Sequence, residues 1–246
     1  MKVSNGRPLV WPAITKGEPL KKIGAQPTLL RWLLVGGAFL TLTGYLGPWV
    51  DHPVAGLVIL GLDMGEYVKF LPTVRTGETS IWREGFYLPL VAVSLNLSFY
   101  CFDRQLDYPW WVRAILLAVA GVAALNLLPP AWTPARLLTP EFQMQTSALL
   151  LCLAAIGFSP LLALLPRWLT SVIGCLLCLT AIWFPGRDFL LLLSSITELY
   201  RHPLIAGWGI IVMAGGLLLL GSASVASVAA IQAAPFRGRF TEQSLL

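Results

Sequence analysis

The side chains that could do chemistry are few, and most lie close to prolines or short apolar runs. The two histidines are His52, beside Asp51, and His202, beside Arg201; both precede proline. Two imidazoles and a carboxylate could hold a metal ion or a quinone headgroup if folding joined them. With so few ligands, a pair of ordinary interfacial histidines is the more economical reading. A buried bis-histidine haem needs histidines facing each other inside a bundle, which these positions exclude. Asp63, Glu66 and Tyr67 share one helical face, and Glu66 can reach Lys69 or Phe70 at helical spacing. Asp188, Ser195 and Glu198 fall on a second stripe, closed by Arg201 and His202. These groups form an outer-face polar cluster and a pool of acids and bases for lipid chemistry. Their spacing matches no catalytic pattern, so solvated faces of amphipathic surface helices are the simpler account. Cys175-Leu-Leu-Cys178 has redox spacing but sits mid-way along an apolar run, where a thiol behaves as a small hydrophobe. Phosphate-loop, dinucleotide, zinc-protease and nucleophile-elbow motifs do not occur. No residue is assigned as catalytic and no metal site is expected. The residues name no cofactor, although lipids or pigments held by apolar contact would suit the chain.

The elements that must position these groups follow from composition. Of 246 residues, 57% are hydrophobic and 12% charged, against about 25% charged in a soluble domain. Mean hydropathy is +0.74. Such a chain cannot cover a water-soluble globule with charge, so a soluble enzyme, a disordered protein and a disulfide scaffold are excluded. The lipid bilayer is the expected surrounding. Four cysteines, all in apolar stretches, suggest no disulfide framework.

A spanning helix needs about 20 apolar residues. Six stretches approach that: 29–50, 86–102, 109–128, 146–165, 168–184 and 203–232. The expectation is an all-α polytopic membrane bundle of six helices in three hairpins, with interfacial or re-entrant helices on the outer face. Residues 1–28 form a cytoplasmic segment, 29–232 the membrane domain and 233–246 a cytoplasmic tail. The polar start of the chain argues against a cleaved secretory signal. Orientation follows from basic residues. With both termini inside, Lys2, Arg7, Lys16, Lys21, Lys22, Arg31, Arg104, Arg113, Arg167, Arg237 and Arg239 are cytoplasmic, and most carboxylates lie outside. The net charge of +5 is therefore topology and not a nucleic-acid footprint. Trp32, Trp110, Trp111 and Trp168 fall at the inner boundary, and Trp49, Trp82, Trp132 and Trp183 at the outer one.

Inner connections are short and outer ones long. The first, third and fifth spans each exit through Pro and Trp, which common span-end chemistry explains without a repeat. Small residues mark packing faces: Gly37, Thr41 and Gly44 on the first span, and Ser222, Ala226 and Ala230 on the last. Asn96 and Asn126 are the intramembrane polar groups, and Asn96 is expected to bond across to another helix. Carboxylates at mid-depth are lacking, which disfavours ion transport by this chain alone.

Three functions follow as expectations. The first is a non-enzymatic subunit or scaffold of a larger assembly in the inner (cytoplasmic) membrane, bound to other membrane subunits. The second is a transporter component. In length, in having both ends inside and in an amphipathic segment before the last span (Phe184-Pro185 to His202-Pro203), the chain resembles the six-span permease of ABC-2-type exporters. That resemblance implies partnership with an ATPase. The short inner loop at 103–108 and the long first outer loop depart from that pattern. The third is a lipid-modifying enzyme at the outer leaflet.

Overall fold

The structure is a computed structural model that describes residues 25–52, 54, 57–129, 132–200 and 203–232. It is mostly helical. The helices are α1 (Ala25–Leu46), α2 (Gly61–Tyr67), α3 (Pro72–Arg75), α4 (Leu88–Tyr100), α5 (Trp110–Leu125), α6 (Pro134–Leu137), α7 (Gln143–Gly157), α8 (Ser159–Leu162), α9 (Arg167–Tyr200) and α10 (Trp208–Gln232). Tight 3-10 turns cover Val68–Phe70 and Arg83–Tyr87.

The six longest of these, α1, α4, α5, α7, α9 and α10, alternate in direction between two ends. One end carries Arg31, Arg113, Arg167 and the turn at 101–109. The other carries the long loops. α1 and α10 are antiparallel and lie backbone to backbone, with Gly37 against Gly216 and Leu220, and Gly44 against Gly209 and Met213. A Cβ on Gly37 would stand 2.9 Å from Gly216 O. Only residues without side chains allow that approach. α4 is the central helix: every residue except Leu88 and Phe99 is buried, against α1, α5, α7, α9 and α10.

The expected six spans become three helices long and apolar enough to cross a membrane: Pro27–Leu46, Arg167–Tyr200 and Trp208–Val228. α4, α5 and α7 have 13, 16 and 15 residues. Local breaks explain the shortfall. The stretch at 146–165 divides at Phe158, because Ser159-Pro160 opens the separate helix α8. The stretch at 86–102 enters through a 3-10 turn before Leu88.

The fifth stretch departs the other way. It was expected to end at Phe184 and give way to an outer loop, yet α9 continues through Pro185 for 34 residues. An interior proline costs about 3 kcal/mol. The buried stripe of Gly174, Cys178, Ala181, Pro185, Phe189, Leu192 and Ile196 keeps helical spacing straight through it, so packing holds the helix together. The shared Pro-and-Trp exit of the odd spans therefore fails at its third member.

The chain is also not purely helical. Strand β1 (Pro48–Val50) pairs antiparallel with β2 (Ile59–Leu60), and Val50 bridges to Ala206. The Gly207 amide donates to Trp49 O at 2.7 Å. This small sheet ties the end of α1 to the start of α10. Trp49, expected at the outer boundary, is fully buried beneath it. Its indole N–H donates to Gly44 O at 3.2 Å, and its ring packs edge-on to Tyr45 and Phe189. With its polar edge satisfied inside, the indole has no need of the headgroup layer.

Candidate functional site

The polar cluster at the loop end is built on α2. Met64, Gly65 and Val68 bury one side of this segment, and Leu71 seals its end. Gly65 lets the Tyr87 ring lie close: a Cβ would stand 2.7 Å from its hydroxyl. The opposite side presents Glu66 and Lys69, whose charged groups meet at 2.9 Å. The helical spacing anticipated that pair.

Its extension across the molecule follows no local spacing. Lys69 Nζ also lies 2.9 Å from Glu141 Oε1, and Arg83 Nη1 reaches the same oxygen at 3.3 Å. Arg83 Nη2 donates to Glu141 O and to Glu84 Oε1, both at 2.8 Å. Both cations sit over the Phe142 ring, Lys69 at 4.9 Å and Arg83 at 5.8 Å from its centre. The Tyr87 hydroxyl donates to Glu66 Oε1 at 3.5 Å. Two cations and an aromatic plate thus clasp one carboxylate, joining α2, the 3-10 turn at Arg83 and the segment before α7. Hydrogen bonding from Lys69, with the Arg83 charge beside it, holds the Glu141 carboxyl below the usual carboxylate range. Exposed pairs contribute about 0–1 kcal/mol each, so the clasp orders loops more than it stabilises the fold. Glu141 is the lone acid of the second outer loop, and only that could have flagged it.

Other members of the expected cluster are dispersed. Asp51, Asp63 and Glu198 are exposed. His52 is half-buried, with its ring 5.5 Å from that of Tyr200 and its Nδ1 accepting from the Val54 amide at 3.0 Å. The Tyr67 hydroxyl is buried without a hydrogen-bond partner, and that burial, with Tyr200 nearby, pushes its pKa up. Arg201 and His202 lie outside the described residues, so a meeting of the two histidines has no structural account. Asp188 is buried, and its Oδ2 accepts from the Trp82 amide at 3.0 Å. Ser195, two turns on, accepts from Thr73 Oγ1 at 3.3 Å. The extension of α9 is therefore a post around which the first outer loop is wrapped. Among the described residues, no group of three or more His, Cys, Asp or Glu could hold a metal ion.

Inside the bundle, Asn96 joins three helices. Its Nδ2 donates to Ala92 O at 2.8 Å and contacts Cys178 Sγ at 3.7 Å, and its Oδ1 accepts from Ser224 Oγ at 3.2 Å. Gly174 makes room for it, since a Cβ there would overlap Asn96 Oδ1. One turn nearer the basic end, Tyr100, Ser171 and Ser227 form a second chain of hydroxyls across the same helices. Asn126 instead bonds within its own helix, to Val122 O at 2.8 Å. Gly37, Thr41 and Gly44 face α10, but against Gly209, Met213, Gly216 and Leu220. Ser222 is exposed and Ala226 half-buried. The side chain of Ala230 lies outside the described residues.

The fold and site thus define a helical protein with three apolar helices of membrane-crossing length, compatible with a membrane setting. The chain matches no family model, no curated protein and no solved structure.

Proposed function

We propose that the chain is an integral membrane scaffold, a non-enzymatic subunit of a larger membrane assembly that crosses the bilayer six times. One observation carries this: large apolar side chains point outward along the bundle's length. Leu151, Leu164, Leu176, Leu190, Ile211 and Leu218 are examples, each more than half exposed. Monomeric soluble proteins rarely leave contiguous apolar patches above a few hundred Å². Exposed indoles mark both ends, with Trp32, Trp110, Trp111 and Trp168 at the basic end and Trp132, Trp183 and Trp208 at the other.

The short helices can still cross. α4 and its 3-10 lead-in together rise about 30 Å, close to the hydrocarbon thickness. Because α4 is enclosed by its neighbours, lipid does not set its length. Asn96 bonds to Ser224, Tyr100, Ser171 and Ser227 bond to one another, and the loop-end carboxylates Glu66, Glu84 and Glu141 are paired with cations, which speaks for a structural role over an enzymatic one.

Single cysteines introduced at Arg104 and Arg136 in a cysteine-free chain test the six crossings. A membrane-impermeant maleimide should label position 104 only from the cytoplasmic side and position 136 only from outside. If 104 is labelled from outside, α4 and α5 do not cross. Mild solubilisation followed by mass measurement tests the subunit role, and a chain that runs alone as a monomer refutes it.

A further inference from the structure

The basic end carries two arginines that differ from the rest. Arg167 is neutralised by Asp103 at 3.0 Å, and Asp103 is further occupied by the Gln105 amide. Arg31 and Arg113 have no carboxylate partner among the described residues, yet both are held in place. Arg31 Nε donates to Leu106 O at 2.7 Å, and its guanidinium stands 5.6 Å from the centre of the Tyr108 ring. The Arg113 guanidinium lies 5.1 Å from the Phe102 ring centre, and its Nε is buried without a hydrogen-bond partner. Both flank the turn at 101–109. Within that turn Asp107 takes a φ of +37°, a conformation uncommon for a residue with a side chain. Its carbonyl faces Arg31 at 3.4 Å. Exposed Arg104 adds a third positive charge. Beside them Trp110 and Trp32 are 81% and 71% exposed, apolar bodies with an N–H to donate at headgroup depth.

We propose that this turn is a docking site for the phosphate of an anionic phospholipid, with Arg31 and Arg113 as the charge pair and Trp32, Trp110 and Trp111 against the glycerol and upper acyl chains. The proposal rests on the reading that the chain lies in a bilayer. Fixed, uncompensated guanidinium groups suit a phosphate because their conformational cost is already met by the carbonyl and ring contacts. Arg167, already paired, contributes little.

The purified full chain in detergent is titrated with phosphatidylglycerol and, separately, phosphatidylcholine, and lipid retention is counted by native mass spectrometry. Phosphatidylglycerol should be preferred. Its retention should fall about five-fold in Arg31→Gln or Arg113→Gln and about thirty-fold in the double variant, given the usual contribution of each basic residue at an anionic surface. Arg187→Gln, at the opposite end, should change nothing, and Lys at both positions should restore most of the preference. If the double Gln variant does not fold, the single variants and their Lys counterparts decide. Equal retention of the two lipids, a double variant that loses nothing, or an equal loss in Arg187→Gln overturns the site. So does inorganic phosphate displacing the lipid at millimolar levels, because a free anion is then the ligand. Alkaline carbonate washing of vesicles separates the two ideas: a chain that stays in the bilayer without lipid preference fails only the site, and a chain that is released fails the membrane reading beneath it.

Discussion

The seam between α1 and α10 makes opposite predictions for two glycines of one helix. A Cβ added at Gly44 would lie 2.5 Å from Gly209 O and 2.7 Å from Met213 Cα, whereas ordinary contact begins at 3.4 Å. The obstacles are backbone, so no side chain can swing aside. Gly44→Ala therefore forces the two helices apart by about 1 Å, enough to forfeit a quarter to a half of the dispersion attraction across the seam. Overpacking against backbone belongs at the upper end of the usual range, about 3 kcal/mol. The better helix propensity of Ala returns about 1 kcal/mol, leaving a net loss of about 2 kcal/mol. Gly36→Ala meets nothing within 4 Å and should show only the propensity gain. Thermal unfolding of both variants in one detergent, followed by intrinsic tryptophan fluorescence, reads the difference. Trp49 lies at the end of this seam, so its emission should shift in Gly44→Ala. Equal melting temperatures, or a Gly36→Ala variant less stable than Gly44→Ala, would refute the backbone-contact account.

Two further outcomes follow from other contacts. Gly174→Ala should destabilise the bundle by displacing Asn96, and adding Asn96→Ala should recover part of the loss, so a thermal double-mutant cycle should show coupling between the two sites. The lowered Glu141 carboxyl means that its contribution is present at neutral pH and is lost as pH falls through its folded-state value; amide-exchange protection at 66–84, corrected for the intrinsic pH dependence of exchange, should fall in acid and in Glu141→Gln, and the acid-induced fall should be smaller in Glu141→Gln.

The polar core shows where sequence patterns stop being informative. Asn96 stands out in an apolar run because an amide in lipid must find a partner. Which partner it finds depended on Gly174 and Ser224, separated from it by 78 and 128 positions, and no local period encodes such a pairing. Tyr100, Ser171 and Ser227 were missed for the same reason, since hydroxyls within hydrophobic stretches look individually unremarkable. Pro185 misled in the opposite direction. As a local signal it ends helices, but the apolar stripe on either side of it carried the stronger information.

Composition and periodicity by themselves determined that the chain is mostly helical and strongly apolar. These properties are sums over neighbouring residues, and hydropathy records such sums. Only the tertiary structure decided that three helices have crossing length, that α4 is enclosed, that Trp49 is core and that Lys69 and Arg83 share Glu141. Each of these depends on which distant segments touch. That is set by backbone approach at glycines and by polar pairings between helices, such as that of Asn96 with Ser224.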